Sequence, residues 1–143
     1  SIFSVMYKHH TKIKGDLGIL KAKLDLFEQG YLILNPETEH APFDIVAYKE
    51  GIFKRVQIKY RKLKKNDTVE ITFRSSYAYS GGVVNKAVDK NEIDIYAIYC
   101  PETDQCYYID PIHFSQSVSL RVGIPRNNQS NGVHWAEDFR KVP

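Results

Sequence analysis

The chain has 143 residues, a length that fits one compact domain, 1–143, around a single core. Its hydrophobic fraction of 43% is ordinary for a globular protein, and no stretch approaches the roughly 20 apolar residues of a membrane span, so no membrane partner is expected. Net charge is only +3, but the distribution is uneven: seven of the 20 Lys and Arg lie between residues 54 and 65. A second group, Lys8, Lys12 and Lys14, lies around the start of the first predicted helix. Such clustering is what a phosphate-binding face needs. The start, Ser1 to His10, lacks the apolar core of a secretory signal, which predicts a cytoplasmic location.

Ile13, Leu17, Leu20, Leu24 and Phe27 recur at spacings of three and four, describing an amphipathic helix from Lys12 to Gln29 that Gly30 stops. Tyr31 to Leu34 reads as a short buried strand closed by Asn35-Pro36. The acidic loop Glu37 to His40 leads through Pro42 into a strand, Phe43 to Tyr48. Lys49-Glu50-Gly51 makes a turn, and Ile52 to Arg61 returns. On that returning strand Val56, Ile58 and Tyr60 form the apolar face; Arg55, Gln57, Lys59 and Arg61 form the other. Thr68 to Arg74 is a further strand, followed by a polar, aromatic loop to Gly82 and a short helix over Val83 to Lys90. Asp94 to Cys100 and Gln105 to Ile109 pair as a second hairpin. Arg126 to Gly132 is a polar loop, and Val133 to Arg140 a terminal helix around Trp135. The order predicts an α/β fold, a mixed β-sheet flanked by helices.

Cys100 and Cys106 flank the turn Pro101-Glu102-Thr103-Asp104. Two cysteines without a histidine pair make a poor zinc site, so plain buried or half-buried thiols are expected. The five histidines form no ligand set either. Asp94, set among apolar residues, reads as a structural acid.

The chemistry concentrates on the first hairpin. Asp44 stands on its first strand, and Gln57 and Lys59 stand two residues apart on the second. Phosphodiester hydrolysis needs an attacking water, neutralisation of the phosphate charge and help for the leaving oxygen, and a bound Mg²⁺ supplies much of this. Mg²⁺ takes hard oxygen ligands and keeps several waters. Asp44 offers a charged oxygen, the Gln57 amide a neutral one, and the Ile58 carbonyl lies between Gln57 and Lys59. Lys59 can orient or deprotonate the water, or stabilise developing negative charge; the sequence leaves these open.

Asp44, a turn, then Gln57-Ile58-Lys59, preceded by a helix and a strand, resembles the PD-(D/E)XK nuclease superfamily, with glutamine in place of the second acid. Lys14-Gly15-Asp16-Leu17-Gly18, Glu92 to Tyr99 with Tyr107 to Asp110, and Leu120-Arg121 with Asn127-Asn128-Gln129 are similar to its homing endonucleases encoded in bacterial group I introns. The resemblance spans nearly the whole chain. It implies a restriction-endonuclease-like core and an Mg²⁺-dependent endonuclease, with Mn²⁺ as a possible substitute. It implies Asp44 as metal ligand, Gln57 and Lys59 completing the catalytic set, a long duplex-DNA site and a homo-oligomer, dimer or tetramer. One departure stands out: relatives often carry a glutamate on the first helix, where this chain has Ile19. Asp16, three residues earlier, either supplies the missing metal ligand or only complements the helix dipole.

For DNA, Arg61, Lys62, Lys64 and Lys65 are the expected phosphate contacts, which position a duplex without reading it. Arg74, Ser75, Tyr77, Tyr79 and Asn85 are the candidates for base reading, because a segment beyond a strand can enter the major groove. Ordinary surface-loop roles are the alternative. The expected activity is thus site-specific cleavage of duplex DNA by a homing endonuclease. The alternatives are a junction resolvase or restriction-type nuclease, and a DNA-binding module without catalysis.

Overall fold

Gly30 ends the first helix by adopting a φ of +93°, which lets the N–H of Tyr31 reach back to the Leu26 carbonyl at 3.0 Å and its own N–H bond Phe27 at 3.0 Å. This closes helix α1 (His10–Glu28) and turns the chain into β1 (Leu32–Leu34). The structure, a computed structural model, describes residues 10–79, 81–87, 91–123 and 132–143. Lys8, Arg126, Asn127, Asn128 and Gln129, all singled out in the sequence, lie outside them.

The first hairpin forms as its turn chemistry dictates. Glu50 and Gly51 take φ values of 51° and 85°, the paired positive angles of a tight turn matched to strand twist, between β2 (Ile45–Lys49) and β3 (Ile52–Tyr60). Ile45 faces Val56 and Lys49 faces Ile52 across it. β7 (Ile95–Cys100) lies parallel on the other side of β3, with Gln57 beside Tyr96 and Lys59 beside Ile98. β8 (Gln105–Ile109) closes a five-stranded sheet of order β1-β2-β3-β7-β8, mixed because of the β3–β7 pair.

Helix α1 covers one face of this sheet. Ala22 and Leu26, fully buried, pack with Ile45, Ala47, Val56, Ile58, Ile95, Ala97 and Tyr108. A Cβ on Gly18 would stand 3.4 Å from the Tyr60 Cβ, so a bare backbone at this position lets the helix cross the end of β3 closely. The stripe that makes the helix read as amphipathic is not the one that packs: Leu20, Leu24 and Phe27 are 64%, 54% and 67% exposed. Burial followed the stripe Gly18, Ala22 and Leu26, whose two small residues allow a close approach to the sheet.

The opposite face carries a second core. Tyr96, Ile98, Cys100, Tyr107 and Ile109 meet Val69, Ile71, Val118 and Leu120. These last come from a smaller sheet, order β10-β9-β4, built from β4 (Thr68–Thr72), β9 (Ser117–Arg121) and β10 (His134–Trp135). The α/β core with its mixed sheet therefore forms as expected, but its second flank is a sheet rather than a helix.

Three local expectations are corrected. The segment expected as a loop and short helix is a β-ribbon, β5 (Arg74–Tyr79) paired antiparallel with β6 (Gly82–Ala87); residues 88–90 lie outside the description. Val83 and Val84 are β-branched, and Gly81 in the connection suits a hairpin turn. The terminal helix around Trp135 is instead β10 and a 3₁₀ turn at Ala136–Phe139, since His134 and Trp135 pair with Leu120 and Arg121 of β9. Thr68 to Arg74 is broken at Phe73, after which the ribbon begins. The parallel β3–β7 pair requires a crossover, and β4 with the ribbon occupies it where a helix is usual.

Cys100 and Cys106 are free and buried as expected, one in each core on opposite faces of the main sheet. Asp94 is structural: it accepts from Arg55 Nε at 2.9 Å, from Nη2 at 3.0 Å and from the Arg55 N–H at 2.8 Å, clipping β7 to β3. Among the described residues, no helix is long and apolar enough to cross a membrane.

Candidate active site

β2 begins at Ile45, whereas β3 runs on to Tyr60, and this mismatch in length makes the site. Backbone groups of successive residues in a strand point to opposite sides. Val56 accepts the Asp44 N–H at 2.9 Å, so the polar groups of Val56 and Ile58 both face the β2 side. At Ile58 no strand remains there to pair with. The Asp44 carboxylate takes that place, accepting the Ile58 N–H through Oδ2 at 2.7 Å. The Ile58 carbonyl opens on the same notch, and the second Asp44 oxygen has no hydrogen-bond partner among the described residues.

Burial dominates the electrostatics. Desolvation raises the Asp44 pKa above its ordinary 3.8, against the opposing pull of the Ile58 N–H, Lys59 and Lys23. Lys59 is held below its ordinary 10.5 by burial and by Arg61, with Asp44 opposing. Both groups are therefore pushed toward their neutral forms. That is the signature of an acid and a base placed close together in a partly dry site.

The structure brings Asp44, Ile58 and Lys59 together. Gln57, just before Ile58, is half-buried on the sheet face shared with Lys59, its amide without a hydrogen-bond partner among the described residues. Asp16 is exposed on α1 and is not among the charges that shift Asp44. The helix group that does act there is Lys23, four residues beyond Ile19, which sequence reading missed. Its one available signal was the helical spacing from Ile19. Among the described residues, no three His, Cys, Asp or Glu side chains gather to hold a metal. The oxygens that could hold a hard cation are instead that of Asp44 without a hydrogen-bond partner among the described residues, the Ile58 carbonyl and the Gln57 amide. Oxygen-only ligands with room for waters fit Mg²⁺, and a desolvated carboxylate with an unpartnered oxygen fits a cation's neighbourhood.

The basic segment follows directly. Arg61 is half-buried, its N–H bonded to Tyr99 at 2.9 Å and its guanidinium to the Tyr60 carbonyl at 2.9 Å. Leu63 packs into the second core, and Lys62, Lys64 and Lys65 are exposed around it. Lys64 is tied to Glu70 at 2.8 Å, leaving Lys62 and Lys65 with no ion pair among the described residues. The base-reading candidates lie on the ribbon, Arg74, Ser75, Tyr77 and Tyr79 on β5 and Asn85 on β6, where it pairs with Ser76.

The family model described as PD-(D/E)XK endonuclease matches residues 9–142. Among solved structures, the bacterial homing endonuclease I-Ssp6803I is similar, with a TM-score of 0.68 at 19% identity, over 91% of this chain and 88% of that one. No curated protein matches. A carboxylate capping the free end of β3 beside Gln57-Ile58-Lys59, and a match over nearly the whole length, establish that the chain belongs to the PD-(D/E)XK endonuclease family.

Proposed function

We propose that this endonuclease hydrolyses duplex DNA at a specific site as a homing endonuclease, with Mg²⁺ held by Asp44, Ile58 and Gln57. The observation that carries the reading is the Asp44 carboxylate anchored on the Ile58 N–H with its other oxygen free, beside a lysine whose charge it feels. The metal, when bound, supplies Lewis-acid activation of the phosphate and of water. Asp44 orients and charges the site, and the Ile58 N–H keeps its carboxylate from rotating. Lys59, with its lowered pKa, takes a proton from the attacking water more readily than an ordinary lysine. Gln57 contributes a neutral oxygen, which leaves the site less negative toward an incoming phosphodiester. Lys62 and Lys65 hold the backbone of the duplex, and the β5–β6 ribbon has the width of a major-groove reader.

One active site cuts one strand, so a double-strand break requires at least two copies of the chain, and a two-fold dimer or a tetramer suits this. Cleavage of a long linear duplex in Mg²⁺, abolished by Asp44→Ala with duplex binding retained, is the expected result. Cleavage confined to four-way junctions would replace the homing reading by a resolvase one. A second reading, a DNA-binding module without catalysis, draws on Ile19 and on the single carboxylate at the notch. Binding without cleavage in either Mg²⁺ or Mn²⁺ would establish it.

A further inference from the structure

Gln57 poses a problem that a carboxylate in its place would not. The two oxygens of a carboxylate are alike, so either can serve a cation; an amide has one oxygen that accepts and one nitrogen that donates. For Gln57 to be a ligand, its Oε1 must face the cation and its Nε2 must turn toward an acceptor. Its neighbours on β3 supply none. Arg55 and Lys59, two residues to either side and on the same face, carry donors only. Arg55 is moreover engaged with Asp94 at 2.9 and 3.0 Å. Asp44 accepts the Ile58 N–H through one oxygen, and its other oxygen belongs to the cation in the reading above.

The neighbour on the next strand is different. Tyr96 of β7 is the register partner of Gln57 in the parallel β3–β7 pair. The pairs on either side, Val56 with Ile95 and Ile58 with Ala97, both enter the core under α1, which leaves Gln57 and Tyr96 together on the other face. The Tyr96 ring packs on Phe73 with centroids 5.1 Å apart, and the residue is fully buried. Its hydroxyl, shut off from solvent, has no hydrogen-bond partner among the described residues. Orphaned buried hydroxyls are uncommon, because burial strips their water without replacing it, and a phenylalanine would fill the same core. Two unpartnered polar groups, one of them sealed in a core, thus stand side by side next to the site. We infer that Tyr96 is a positioning residue: its hydroxyl accepts the Gln57 Nε2–H when the amide oxygen is on the cation, and so fixes which end of the amide faces the site. The inference rests on the reading of Gln57 as a metal ligand.

The test is the Mn²⁺ affinity of the full chain without DNA, read from the electron paramagnetic resonance signal of free Mn²⁺. Tyr96→Phe removes one oxygen and keeps the ring. Because that oxygen is unpartnered in the metal-free protein, the metal-free Tm should not fall. Mn²⁺ affinity should weaken about tenfold, the scale on which loss of a group that orients a ligand is felt. In a Gln57→Glu background the same substitution should leave Mn²⁺ affinity unchanged, since a carboxylate needs no orienting. An equal loss in both backgrounds, no loss in either, or a lowered metal-free Tm in Tyr96→Phe would overturn the proposal. Gln57→Ala matching the wild type in Mn²⁺ binding is the separate failure: it would remove the amide from the ligand set and take this inference with it.

Discussion

The Asp44 carboxylate stands where a strand would have continued: it accepts the Ile58 N–H at 2.7 Å just past the last β2–β3 pair. One side chain thereby ends a ladder and begins a site. The bond satisfies a backbone donor that would otherwise be orphaned, and it aims the remaining carboxylate oxygen at the space the Ile58 carbonyl faces. Structural and chemical roles at this position are separable by substitution.

Asp44→Asn keeps an acceptor for the Ile58 N–H and removes the desolvated charge. Cleavage should fall to background, duplex binding should stay within about threefold, and the Tm at neutral pH should rise, because a buried charge without a cation is costly. A lower Tm, by calorimetry without metal, would mean that the charge is compensated in the folded protein.

The pH dependence has a definite sign. The folded pKa of Asp44 is raised, so its contribution to stability is fully present below the unfolded value and is lost as pH rises through the folded one. Metal-free protein should lose that contribution above about pH 4. Mg²⁺ or Mn²⁺ should restore stability there, and chelation should remove the gain. Metal affinity, by calorimetric titration, should fall on acidification with a midpoint above the usual 3.8.

Lys23 helps to keep Asp44 ionised. Lys23→Ala should shift the acid limb of metal binding to higher pH while the plateau affinity changes little. An unmoved limb would show that Lys23 acts on phosphate or on nothing.

Salt dependence separates the lysines after β3. Lys62→Ala and Lys65→Ala should each weaken duplex binding at any sequence and flatten the logarithmic salt slope by about one unit. Lys64→Ala should do less, because Glu70 already neutralises that ammonium at 2.8 Å. Equal slopes for all three, by fluorescence anisotropy, would contradict the pairing.

Arg55 and Asp94 concern stability alone. The Arg55 hydrogen bonds lower the Asp94 pKa, so the stabilisation is present above the unfolded value and is lost as pH falls through the folded one. Asp94→Ala should cost about 1 kcal/mol in denaturant unfolding, since the pair is partly exposed. Cleavage per folded molecule should not change.

The residues of the β2–β3 hairpin, with Glu50-Gly51 at its turn and Val56 and Ile58 alternating with Gln57 and Lys59, were readable because each signal acts over a few neighbours. Turn angles, strand alternation and the stop at Gly30 are local preferences that the surrounding fold did not need to overrule. The second flank was not readable. Nothing near Trp135 announces that it will pair with Arg121. Nothing in the polar run after Phe73 separates a loop from a ribbon until Ser76 finds Asn85. The helix is the clearest case: its sequence offers two apolar faces, and periodicity favours the leucine-rich one. Close packing of Gly18 and Ala22 against β3 and its neighbours buried the other. The approach of Lys23 to Asp44, 21 residues away along the chain, arises the same way. Chain segments distant in order meet only when cores close, and the energy that chooses between faces belongs to that closure rather than to any short stretch of residues.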